Sequence, residues 1–201
     1  MKTLLAALAL TLATGSAALA FDTDTQAIID RHKSVKLVAI KDVAHLMRES
    51  AQWCYDNQDG SCAWSEIYLD VRDSGATFEL SNAWDAELDY AMTDEALFEG
   101  DKACQTGLNW LPSLRAIRRS DGGPVGGRIL HDFRLAMAEA RPDLEAYDDC
   151  FDYLYLSSAA DQQVVTLLQR QYVDGVHDAA NDVEVTVYFD AEDAAGLTMR
   201  L

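Results

Sequence analysis

The chain has 201 residues, 34 of them acidic and 16 basic, for a formal net charge of −18. A surface this negative repels phosphate backbones and anionic headgroups, which excludes nucleic acid and lipid surfaces as partners at ordinary salt. The length suffices for one domain with a sizeable core or for two small halves.

The first twenty residues, MKTLLAALALTLATGSAALA, place Lys2 before an apolar run from Leu4 to Ala13 and end on Ala18-Leu19-Ala20. This is the order of a secretory signal peptide cleaved after Ala20. The run is too short to span a bilayer and no later one approaches the roughly 20 apolar residues needed, so no membrane insertion is expected. The mature chain from Phe21 carries 15 basic and 34 acidic residues, a net of −19, and belongs in the periplasm or outside the cell.

Thr23, Asp24 and Thr25 offer helix N-caps, and Leu37, Ile40, Ala44 and Met47 recur at spacings of three and four, which predicts one long helix ending before Cys54. The stretch CYDNQDGSC then puts Cys54 and Cys62 around a turn with Gly60 near its apex. Aligning that glycine on a calcium loop gives Asn57, Asp59 and Glu66 at ligand offsets, but Tyr55 falls where the first Asp is required. A turn whose Asx side chains bond local backbone is the expected form, with no metal. In an oxidising compartment the four cysteines pair, and the ease of the short loop implies Cys54–Cys62 and Cys104–Cys150. In the chain-entropy model these loops contribute about 2.5 and 4 kcal/mol.

Alternation follows, with Ile67, Leu69 and Val71 as one apolar face, Asp73-Ser74-Gly75 as a turn, then Ala76, Phe78 and Leu80. Trp84 to Met92 and Ala96 to Cys104 complete a four-stranded meander, with Trp84 in phase with Leu88 and Met92 as core. Residues 109–126, rich in Gly and with Pro112 and Pro124, read as a connector. Gly127 to Ala140 reads as a second helix stopped by Pro142. Cys150 to Leu156, Val164 to Val173 and Val183 to Phe189 are extended, and Gly196 to Leu201 is expected to fold back on the last of them.

The expected fold class is thus α+β, two long helices packed on antiparallel meander sheets and stapled by two disulfides. Its divisions are 21–108, a connector 109–126 and 127–201, as tandem helix-plus-four-strand units or one compact domain. The shared order resembles the helix-on-curved-sheet topology of cystatin-like proteins and of tandem secreted inhibitors, a likeness of topology alone. One continuous sheet with both helices on one face is the alternative.

Three functional readings are open. A sheet face carrying outward Tyr68 and Tyr153 makes a platform for another envelope protein, which implies a protein-binding or inhibitory module. Arg115, Arg118, Arg119 and Arg128, around the glycines of SDGGPVGGR, suggest a small-anion site. An envelope hydrolase would need His45 or His131 beside a carboxylate, yet no paired-histidine motif or nucleophile elbow is present, and no cofactor is implied.

Overall fold

The computed structural model describes residues 21–140 and 149–201. The leader and the Pro142 helix stop therefore lie outside the described residues.

Eight antiparallel strands form the frame: β1 (Gln52–Tyr55), β2 (Trp64–Arg72), β3 (Gly75–Ala83), β4 (Leu88–Glu99), β5 (Lys102–Gln105), β6 (Asp149–Ala159), β7 (Val164–Val173) and β8 (Val183–Tyr188). Each pairs with its neighbours in chain order. The last returns to the first, with Val187 opposite Trp53 and Val185 opposite Tyr55. The result is a closed up-and-down barrel, a geometry that removes both sheet edges.

This corrects the expectation of two long helices on meander sheets. The helices are α1 (Thr23–Arg31), α2 (Ile40–Glu49), α3 (Gly127–Ala140) and the five-residue α4 (Ala191–Ala195). Tandem units are excluded as well, because β5 and β6, from opposite sides of the connector, are hydrogen-bonded neighbours. The single N-terminal helix expected is two, broken at His32 to Ala39. Asp22 caps α1 by accepting from Asp24 and Thr25 N–H.

The barrel has a closed end and an open end. Val38, Val43, Leu46 and Met47 from the helical segment join Trp53, Tyr153, Tyr155, Val165, Leu167, Val185 and Val187 in one core. The helices thus plug the end where β2 finishes, and Arg48 reaches the Val71 carbonyl there. Asp42 binds the plug together: it is 6% exposed and accepts from Arg31 (2.6 and 3.2 Å) and His32 (3.2 Å). Burial alone would raise the Asp42 pKa, but these donors hold it below the ordinary carboxylate value.

The excursion between β5 and β6 builds a second, smaller core. Arg115–Arg118 pairs with the first half of β4, leaving the second half to β5, and Pro124–Val125 pairs with it in turn. Phe133 and Met137 of α3 pack there with Trp110, Leu114, Ala116 and Val125, and Trp84 meets Phe133 edge to face at 5.1 Å.

Both expected disulfides are present, Cys54–Cys62 and Cys104–Cys150. The second fastens β5 to β6, where the ladder registers only two residue pairs. In the CYDNQDGSC turn, Asn57 Oδ1 accepts the Gly60 N–H at 3.0 Å, a local Asx arrangement. The C-terminal residues do not return to β8. After α4, Thr198–Met199 runs parallel to Ser61–Cys62 instead.

Candidate functional site

Alternation along each strand decides what the barrel encloses. Side chains opposite one another across a ladder share a face, so the buried pair Trp53 and Tyr55 identifies the inner residues all the way round. On β2 these are Trp64, Glu66 and Tyr68; across β3 and β4 they continue as Leu80, Phe78, Met92 and Asp94. On β6 and β7 they are Phe151, Tyr153, Gln169 and Gln171.

These side chains leave a cavity of about 270 Å³, lined by residues of seven strands, with Met47 of α2 also in its wall. Eight strands enclose an interior of the size that side chains fill or one small ligand occupies. Gln105, Gly107, Leu108, Trp110 and Asn181 line it at the end away from the helical plug.

Apolar and polar side chains share the wall, and a connected polar group sits inside. Tyr55 and Tyr68 each donate to Glu66 Oε2 at 2.8 Å. Gln169 donates to Tyr153 Oη at 3.0 Å and more distantly to Tyr55 Oη at 3.4 Å. Rings pack this group closely: Tyr55 stacks on Trp64 at 4.7 Å, and Trp53 meets Tyr68 and Tyr153 edge to face at 5.3 and 5.5 Å.

Burial dominates the electrostatics. It pushes Glu66 up to about 7, with the Asp94 charge adding to the rise and the two tyrosine donors opposing it. Asp94 is raised for the same reason, partly offset by the Glu95 N–H at 2.8 Å. Tyr55 and Tyr68 are driven well above the usual phenol value by burial and then by Glu66.

The residues singled out from sequence distribute differently. Tyr68 and Tyr153 face into the barrel rather than outward, and Ile67 and Leu69 occupy the outer side of β2, 40% and 57% exposed. Each of the four arginines has a carboxylate partner: Arg115 pairs with Glu79, Arg118 with Asp121, Arg119 with Asp89 at 2.9 Å and Arg128 with Asp132 at 3.6 Å. Arg119 also donates to the Met199 carbonyl at 2.6 Å. Arg118 and Arg119 do share a shallow hollow of 600 Å³ with Glu87, Leu88, Val125 and Ile129, but their charges are already engaged.

His45 contacts Thr25 Oγ1 at 3.1 Å and lies 3.7 Å from the Asp22 carboxylate beside α1, and His131 is exposed on α3; neither lines either hollow.

Glu66, Asp94 and Gln169 are what sequence reasoning missed as a site. One signal was available: in WSEIY, Glu66 shares the period-two phase of Trp64 and Tyr68, an acid between two large aromatics. Comparison of the chain with protein-family models, with curated proteins and with solved structures returned no match.

Proposed function

We propose that this chain is an exported binding protein that holds a small ligand inside its barrel. The observation that carries the reading is the buried group of Glu66, Asp94 and Gln169 on the wall of a cavity that the side chains do not fill. Burying ionisable groups without full compensation costs several kcal/mol, and an apolar interior would avoid that cost. Retained polar groups converging on an apolar cavity are the usual layout of a small-molecule site. The two disulfides suit an oxidising compartment, which supports export.

Protein binding through tyrosines on a sheet face loses its support, since both tyrosines are internal. The anion reading loses support with the arginine pairings, and the hydrolase reading with the placement of His45 and His131 outside both hollows.

The test is a thermal-shift screen of the wild-type protein against chemically varied small molecules, repeated with Met92→Trp. Met92 lines the cavity and is half-buried, so the larger ring occupies the space. Compounds that stabilise the wild type by mass action should lose their effect in the variant. Hits that stabilise both proteins equally place binding outside the barrel and refute the proposal.

A further inference from the structure

Charge and ring surface inside the barrel discriminate among ligands. Among the described residues lining the cavity none is Lys, Arg or His, whereas Asp149 lines it and Glu66 and Asp94, also in its wall, are only 8% and 6% exposed. Glu66 uses Oε2 for the hydroxyls of Tyr55 and Tyr68, and among the described residues no donor reaches Oε1. Asp94 accepts the Glu95 N–H through Oδ1, and no described donor reaches Oδ2. Each of two carboxylates, nine-tenths buried, thus keeps an oxygen without a protein donor. Around them stand the rings of Trp64, Tyr68, Phe78, Phe151 and Tyr153.

We propose that the cavity binds a compact organic ammonium ion, its N–H groups donating to Glu66 Oε1 and Asp94 Oδ2 and its short apolar or aryl body packing among Phe78, Leu80, Met92 and Phe151. This rests on the binding-protein reading and supplies its ligand class.

Three arguments favour a cation over the alternatives. A buried carboxylate is stabilised most by an opposite charge that also donates hydrogen bonds. Aromatic faces attract a cation within about 6 Å, most strongly where water is excluded. An anion, conversely, would meet three acids and only uncharged donors among the described lining residues, and a neutral apolar molecule would leave both free oxygens desolvated. The volume of about 270 Å³ lies at the low end of small-molecule cavities, which favours a compact body over a long chain. The groups facing Glu66 are Tyr55, Tyr68, Tyr153 and Asp94, all neutral or acidic, so among the described residues none facing it supplies a positive charge.

Titration calorimetry with three probes of one shape tests this: 2-phenylethylamine, 2-phenylethanol and phenylacetate, against the disulfide-intact wild type, Glu66→Gln and Asp94→Asn. Charged hydrogen bonds in a buried site are worth about tenfold or more in affinity. The amine should bind, the alcohol about tenfold or more weaker, and phenylacetate not at all. Each variant should weaken the amine by a similar factor while keeping a cooperative urea-unfolding transition, which shows that the variants fold. Equal binding of amine and alcohol, or an amine affinity indifferent to both variants, overturns the ammonium inference. The small-ligand reading would survive that result if Met92→Trp still abolished binding. No amine binding at millimolar concentration also overturns the inference, and the wider screen then decides the binding-protein reading on its own.

Discussion

Replacing Glu66 by Gln should remove a pH dependence that the barrel interior imposes on stability. Glu66 has an ordinary pKa of 4.5 and is held near 7 in the folded protein. Below 4.5 the group is protonated in both states and adds no penalty. Between 4.5 and 7 the unfolded chain releases the proton while the folded chain keeps it, so the folded state binds more protons and stability falls as pH rises. Above 7 the folded state carries the buried anion and the loss is complete. Each pH unit in that window weakens folding by about 1.4 kcal/mol, a total of roughly 3 kcal/mol. Gln preserves the carbonyl oxygen that accepts from Tyr55 and Tyr68 but never ionises, so the local hydrogen bonds persist. Urea unfolding of both proteins from pH 4 to pH 8.5 gives the difference directly, and groups common to both largely cancel. The stability of Glu66→Gln relative to wild type should climb by roughly 3 kcal/mol across the window. A flat difference, or one that falls with pH, would show that Glu66 is solvated or charge-paired and would refute the account of the interior.

Removing Cys104–Cys150 by a double Ala substitution should cost about 4 kcal/mol, against about 2.5 for Cys54–Cys62, because the longer link spans 46 residues rather than 8. Denaturant midpoints of the two variants check the order. Asp42→Asn should destabilise the helical plug by about 2 kcal/mol at pH 7 through loss of charged hydrogen bonds to Arg31 and His32. The folded Asp42 pKa lies below 3.8, so this contribution is present above that value and lost as pH falls beneath it; the two proteins should converge in acid. Phosphate and sodium chloride at equal ionic strength should change the melting temperatures of wild type and of Arg119→Ala with Arg128→Ala by the same increments. A phosphate-specific rise confined to the wild type would restore the anion site.

Much of the secondary structure was legible because strands and helices announce themselves by period. Helix Gly127–Ala140 and the strands around Cys150, Val164 and Val183 fall where the sequence places them. The closure was not legible, because which strand pairs with β1 depends on contacts far apart in sequence. The phase of β2 misled for a specific reason. Ile67, Leu69 and Val71 look like a continuous apolar face, but the register shifts between Tyr68 and Asp70, so Val71 packs with the core opposite Ala76 while Ile67 and Leu69 stay outside. Taking that face as core puts Tyr68 outside, and Glu66, which shares its phase, then shows no sign of an interior site. Closure also reassigns the tyrosines: an open sheet has an outer platform for them, whereas a barrel has an interior.

The pairing of β8 with β1 has a consequence for how the molecule is made. Val187 must find Trp53 across about 130 residues of chain, and no stable ring exists before it does. Contacts of such high sequence separation make folding slow, since the entropy of closure is spent before the contact repays it. During that interval β1 and β8 both expose unpaired backbone, each a template on which a second copy can add a strand. A chain with a formal net charge of −18 repels its neighbours throughout that interval, so its acidity acts on assembly before it acts on the finished surface.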